Sequence, residues 1–430
     1  MIRMKFNIVE IKHKLKKKKE RIKRFKRNLR LAKRKIHFRA LKNDLKSSLK
    51  SDAKNISWFC LTFKNIKHAR YIFLRNNKKV IRVINDSQIN ILNPFHKVNY
   101  IYIKFHKEFP QKIFIKGQNA NTTYQCKYLH TLIKLNDLSV LRKISIKFSS
   151  DVKINRIYVF TDGELPDWVQ KWEPPCEKAD LLAMSTHSDD EQLFFAGVLP
   201  LYAAKNKRIQ VSYFAPPLAL HRFNELLDGL WQIGIKNYPV FAPFYEEWSM
   251  SIPEAKNNLS NHNTTEEDIQ NYIVSTIRRF KPLVVIGQDP INGEYGHGQH
   301  MYFAYCLGKY ISNSTNPVID PESTRKYGLH SVSKLYLHLH KNNRIVLDLD
   351  IPMKELHGKT PFEKSQEGFS KHRSQYVAFF PKFLYGTIRH PITQARQIKD
   401  NSPCEWGLAY TTVGPDLICC DMFENLDQTD

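Results

Sequence analysis

Nothing in the 430 residues forms an apolar run of about 18, the length a helix needs to cross a bilayer, so no membrane span is expected. The opening stretch, MIRMKFNIVEIKHKLKKKK, lacks the apolar core of a secretory signal. It is read as part of the mature chain of a cytoplasmic protein. The seven cysteines are odd in number and form no C-x-x-C pair, which argues against a disulfide framework and a cysteine zinc site and for reduced, packed thiols. The first fifty residues contain neither Gly nor Pro, so nothing in them punctuates a helix. No zinc-finger or aromatic RNA-reader pattern accompanies the chain's basic charge, which disfavours nucleic acid as a partner.

What is present is globular in composition, 42% hydrophobic and 12% aromatic, with length enough for two cores. The net charge of +26 is unevenly placed. Residues 1–50 hold 21 of the 67 Lys and Arg against three of the 41 Asp and Glu. In that segment Ile8, Ile11, Leu15, Ile22, Phe25, Leu29 and Ile36 keep three-and-four spacing, which predicts a basic amphipathic helix. Such a helix is either a solvated helix or short coiled coil leading into the fold, or one attracted to an anionic membrane surface or an anionic polymer.

From 53 to 163, runs rich in Ile, Val, Phe and Tyr recur about every ten residues, among them WFCLTF, ARYIFL, NYIYIKF, KIFIKG and NRIYVF. This predicts an all-β, sandwich-like domain, with a structural or glycan-binding role because it holds no His/Asp/Glu cluster. Residues 164–178 form a Pro/Trp linker: Pro166, Pro174 and Pro175 oppose regular structure, and Trp168 and Trp172 offer apolar faces for docking. From 179 to 430 apolar strand candidates alternate with helical stretches. One of these, TTEEDIQNYIVSTIRRF, opens with a capping box expected at Thr264 and Glu267. The pattern predicts an α/β domain with a Rossmann-like parallel sheet, whose ligands sit beyond the carboxyl ends of its strands.

Two polar clusters stand at such ends. STHSDDE follows the run ADLLAM and places His187, Asp189, Asp190 and Glu191 within five positions. Clustered carboxylates repel and resist burial, so a positive partner is expected. QDPINGEYGHGQH follows LVVIG and supplies His297 and His300, three residues apart. Two imidazoles and a carboxylate make a three-ligand set that leaves a position open for water, the arrangement of catalytic zinc. Taken singly, HSDDE reads better as an acidic helix cap and HGQH as a surface turn; together, each at a strand end, they favour the metal site.

At these residues the chain resembles the bacterial PIG-L/LmbE-like deacetylases: ADLLAMSTHSDDEQLFFAGVLP is similar to their strand and H-P-D-D-E signature, GEYGHGQH to their second His motif, and FSKHRSQ to a later His-x-Ser-Gln motif. The resemblance spans about residues 178–390. It implies zinc ligands His187, Asp190 and His300, Asp189 as general base, and His297 assisting the oxyanion or leaving group. The implied activity is removal of an acetyl group from an N-acetylhexosamine-containing glycan or glycoconjugate. Ser188 stands where the family has proline, and Gly298-Gln299 where it has Pro-Asp, which changes the polarity of the pocket.

Arg222 and Glu225, on one helix, are candidates for binding sugar hydroxyls, their alternative being an exposed helix pair; His372 and Gln375 are expected on a helix as further substrate-binding candidates. Two rivals stand beside the sugar deacetylase. One is a deacetylase acting on an amide conjugate, and the other is a non-catalytic protein that binds an anionic glycan or membrane surface and carries a relic deacetylase domain.

Overall fold

The computed structural model describes residues 51–74, 78–84, 86–92, 97–117, 121–136, 143–376 and 380–426; the basic segment 1–50 lies outside the described residues. In the first half the strands are β1 (Leu61–Lys64), β2 (Ile81–Val83), β3 (Gln88–Leu92), β4 (Val98–Phe105), β5 (Lys112–Lys116), β6 (Asn121–Gln125), β7 (His130–Lys134), β8 (Lys143–Phe148) and β9 (Val152–Thr161). They form two antiparallel sheets, in the orders β1-β3-β8-β5-β6 and β2-β9-β4-β7. Period-two alternation explains the pairing of faces. In β5, Ile113 and Ile115 are buried while Lys112, Phe114 and Lys116 are exposed. The inward isoleucines of both sheets join one core.

Two stretches read as strands differ. ARYIFL forms a 3-10 turn over Ala69–Phe73 in which only Ile72 is buried, and WFCLTF begins as a helical turn, Ser57–Cys60, before β1. Apolar composition could not separate a turn that buries one residue from a strand that buries alternate ones.

The second half is built on β10 (Leu181–Ser185), β11 (Ile209–Tyr213), β12 (Val240–Phe241), β13 (Val284–Gly287), β14 (Lys334–His338), β15 (Arg344–Val346) and β16 (Glu405–Thr411). The sheet order is β12-β11-β10-β13-β14-β16-β15. The first five run parallel, but β16 is antiparallel to β14 and to β15, so the sheet is mixed rather than parallel throughout. After β14 the chain makes a long excursion and re-enters from the opposite end. Gly407 permits that close return, since a Cβ there would lie 2.2 Å from the His340 carbonyl oxygen. The central strand β10 is covered on both faces, as parallel strands require: Leu181 and Ala183 join one core, Leu182 and Met184 the other.

The helix Glu266–Phe280 carries its capping box one residue later than expected, at Thr265 and Asp268, because TTEED offers two registers. Among the described residues no helix is long and apolar enough to cross a membrane. All seven cysteines are unpaired and five are buried.

Candidate metal centre

The carboxyl ends of β10 and β13, neighbours in the sheet, bring the two polar clusters together. Asp190 opens the short helix Asp190–Leu193, directly after β10 and the turn that carries His187. His297 is the N-cap of the helix Gly298–Tyr310, its Nδ1 accepting a bond from the Gln299 N–H at 3.2 Å, and His300 lies in that helix's first turn. Gly298 lets this helix start abut the preceding loop, for a Cβ there would lie 2.3 Å from the Ser251 carbonyl oxygen.

Three donor atoms converge. His187 Nδ1 lies 3.2 Å from Asp190 Oδ2 and 3.0 Å from His300 Nε2, and His300 Nε2 lies 3.1 Å from Asp190 Oδ2. Donors held about 2.0–2.2 Å from a zinc ion stand roughly 3–3.5 Å apart, so the set fits a metal. The outer partners orient both rings. Gln299 donates to the Tyr245 carbonyl at 2.8 Å, which turns its Oε1 toward His187 Nε2 at 3.0 Å. His187 therefore carries its proton on Nε2 and presents the Nδ1 lone pair inward. Glu294 Oε2 accepts from His300 Nδ1 at 2.7 Å and leaves Nε2 facing the centre.

The electrostatics favour a cation here. Burial alone would lower the His300 imidazole, yet Asp190 and Glu294 raise it to about 10. Burial would likewise raise Asp190, but His300 and His187 hold it well below the usual carboxylate range. Asp189 goes the other way: burial raises it, with Arg222 opposing and Asp190 adding to the rise. Burial and neighbouring charge thus drive the two adjacent carboxyls in opposite directions.

A second grouping is present, in which ligand atoms of His187, His297 and His300 lie within 4.8 Å of one another. The tighter spacing of the Asp190 oxygen favours the His187, Asp190 and His300 set over one that includes His297. Burial first, then the neighbouring His187 and His300, push the His297 imidazole far down, so it is neutral. Its Nδ1 accepts from Gln299, and its Nε2 is left as the N–H donor.

Arg222 and Glu225 are not an exposed pair. Both are buried on the helix His221–Gln232, where packing against the site and the segment after Phe369 covers the face they share. Arg222 Nη2 lies 3.3 Å from Asp189 Oδ1, and its Nη1 pairs with Glu246 Oε1. Glu225 accepts from the Ser374 N–H at 3.1 Å, and burial pushes its carboxyl up to about 7. His372 follows the helix Pro361–Phe369 instead of lying on one, and Gln375 ends a 3-10 turn. The His372 ring is fully buried with Nε2 3.7 Å from Glu191 Oε1, seated against Gly229, where a Cβ would come within 2.7 Å of it. Gln375 Nε2 donates to Ser374 Oγ at 3.2 Å and touches none of the three donors.

Sequence reasoning missed Glu294, Glu246 and Trp248, and took Gln299 for a change of pocket polarity without its role in orienting His187. Glu294 adopts φ 61°, a left-handed conformation that costs a non-glycine residue on the order of 1–3 kcal/mol, and its position between Gly293 and Gly296 was the available signal. Trp248 is 52% exposed, its ring 4.6 Å from that of His297, and forms an aromatic rim.

No family model and no curated protein matches the sequence. Among solved structures, the chain is similar to N,N'-diacetylchitobiose deacetylase from Pyrococcus horikoshii, at 16% identity and a TM-score of 0.39 over 55% of this chain and 86% of that one. It is also similar to GalB, the 4-carboxy-2-hydroxymuconate hydratase from Pseudomonas putida, at 13% identity and a TM-score of 0.35 over 55% and 98%. A third is the A40926 pseudoaglycone deacetylase Dbv21, at 15% identity and a TM-score of 0.32 over 54% and 97%. Likeness at this level does not carry a reaction, which has to be argued from the site's own residues.

Proposed function

We propose that the protein is a zinc-dependent hydrolase that removes an N-acetyl group from an amino-sugar glycan or glycoconjugate. The convergence of His187 Nδ1, Asp190 Oδ2 and His300 Nε2 beside a carboxylate outside the set, Asp189, is the observation that carries this reading. A zinc ion held by the three donors supplies Lewis-acid chemistry for an acyl carbonyl and for water. Asp189, raised by burial and positioned by Arg222, accepts the proton from the attacking water. Neutral His297 offers its Nε2–H to the oxygen that gains charge. Asp189 then returns the proton to the departing amine. Trp248 at the rim provides a flat face for a sugar ring.

The test is acetate release from a panel of N-acetylated mono- and disaccharides, before and after chelation and with zinc restored. Zinc-restored release from amino sugars is the expected outcome. Release only from non-sugar amide conjugates would transfer the substrate assignment to those compounds, and no release from a zinc-loaded protein would favour the binding protein over the enzyme. In the same reading residues 1–50, with their concentrated charge, localise the enzyme to an anionic surface, at about 1 kcal/mol per engaged Lys or Arg. Deleting them is expected to weaken salt-sensitive sedimentation with anionic vesicles and to leave zinc content unchanged. Equal sedimentation of both forms would remove that role.

A further inference from the structure

The helical turn Ser57–Cys60 buries its two ends and leaves its middle outside. Ser57 Oγ accepts from the Val159 N–H at 2.8 Å, and the Cys60 N–H donates to the Ile56 carbonyl at 3.2 Å, so the turn is fixed against β9. Trp58 and Phe59 are thereby held at 70% and 87% exposure, and Phe59 is the most exposed large apolar residue described. They are not isolated. Trp58 packs edge-on against Phe73, ring centroids 4.6 Å apart, Phe73 meets Phe63 at 6.4 Å, and the neighbouring Leu74 is 43% exposed. A contiguous apolar patch kept in water by a fixed turn marks a contact surface.

The surroundings of the patch are basic. Residues 51–84 hold eight Lys and Arg against one acid, Asp52. Lys54, Lys64, Lys67, Arg70 and Lys79 are exposed, and Lys79 Nζ sits 5.0 Å over the ring of Tyr71, on the 3-10 turn that carries Phe73. Of the acids folded alongside, Asp151 pairs with Arg82 at 3.6 Å and Asp86 borders Asn65. The patch also follows directly on residues 1–50, where the charge of the chain is concentrated.

Rings amid lysines suit one partner better than others. An anionic bilayer offers both halves of the match, an interfacial layer that takes up Trp and Phe and headgroups that attract Lys and Arg. A polyanionic chain offers charge without apolar depth. A sugar platform needs a flat shared face, whereas successive residues of a helical turn point about 100° apart, so Trp58 and Phe59 do not form one plane.

We infer that the face around Trp58 and Phe59 docks on an anionic lipid bilayer, with the two rings entering the headgroup boundary and the surrounding Lys and Arg resting on the headgroups. This rests on the localisation of residues 1–50 to an anionic surface and narrows that surface to a membrane. It does not depend on the reaction proposed above.

The full chain tests it, mixed at physiological salt with vesicles of phosphatidylcholine and phosphatidylserine, with and without bromine on the acyl chains. Co-sedimentation is expected with the mixed vesicles and about tenfold weaker binding with phosphatidylcholine alone. Brominated chains are expected to quench tryptophan fluorescence, and Trp58→Phe, which keeps an aromatic ring, to bind with most of that quenching gone. Phe59→Ala is expected to weaken binding about tenfold with an unchanged circular-dichroism spectrum, since its position is exposed. Sedimentation without quenching would overturn the inference and leave residues 1–50 to hold the surface by charge alone. Quenching that survives in Trp58→Phe, or unchanged affinity in Phe59→Ala, would place the inserted rings elsewhere and overturn it as well. No sedimentation of the full chain would remove both readings.

Discussion

Glu294 Oε2 accepts a hydrogen bond from His300 Nδ1 at 2.7 Å, while its Oε1 stands 3.0 Å from His338 Nδ1. One carboxylate thereby fixes the ring of a proposed ligand and ties it to β14. The strained φ of 61° at Glu294 persists because these contacts, with the Asp289 N–H at 2.9 Å, determine its position. Glu294→Gln keeps the volume but loses the charge. It is expected to weaken zinc binding by roughly 10- to 100-fold in competition with a chromophoric chelator, with the fold retained. Unchanged affinity would show that His300 needs no such support.

The two neighbouring carboxylates are separable. His187→Ala and Asp190→Ala are expected to lose stoichiometric zinc by elemental analysis. Asp189→Asn should keep zinc and lose about 10²- to 10⁴-fold in turnover, the usual cost of a missing general base. His297→Ala should keep zinc as well. Should His297→Ala lose the metal while Asp190→Ala retains it, the ligands are the three histidines and Asp190 is not one of them.

Much of this centre was legible from strand ends and residue type, and the reason is local. His187, Asp190, His297 and His300 lie close in sequence to β10 and β13, so the turns after two adjacent parallel strands suffice to bring them together. Arg222 and Glu225 were legible as residues but not as buried ones, because Glu225 packs against Ser374, far along the chain, and Arg222 against Asp189 and Glu246. Glu246 and Trp248 carried no signal at all. They reach the site on the irregular stretch after β12, whose path no periodicity encodes. The antiparallel β15 and β16 were hidden for the same reason, since they pair across a long excursion.

The interface between the two halves is polar and pH-sensitive. His130, from β7, meets Asn224 Oδ1 at 2.7 Å and Gln170 Oε1 at 2.5 Å. Burial, and after it Lys104, lowers its imidazole from 6.5 to about 4. A depressed folded-state value means that the unfolded chain takes up the proton first. Stability is therefore full above about 6.5 and is lost as pH falls toward about 4. His130→Gln is expected to flatten the fall in melting temperature across that window. A variant that keeps the wild-type slope would place the acid sensitivity elsewhere.

Trp248 tests whether the rim beside the donor cluster recognises a sugar ring. Its indole stacks with Tyr295 at 5.8 Å and stands 4.6 Å from His297, yet half of its surface faces solvent. A ring held in place by aromatic neighbours and open on one side is pre-ordered for stacking, so little entropy is lost when a pyranose covers it. Because stacking is made equally in the bound substrate and the transition state, its loss acts on binding alone. Trp248→Ala is expected to raise KM for an N-acetylated disaccharide by about tenfold, with kcat and zinc content close to those of the parent. A fall in kcat at unchanged KM would mean that Trp248 instead orders His297, and the rim would then be part of the catalytic apparatus and not a sugar platform.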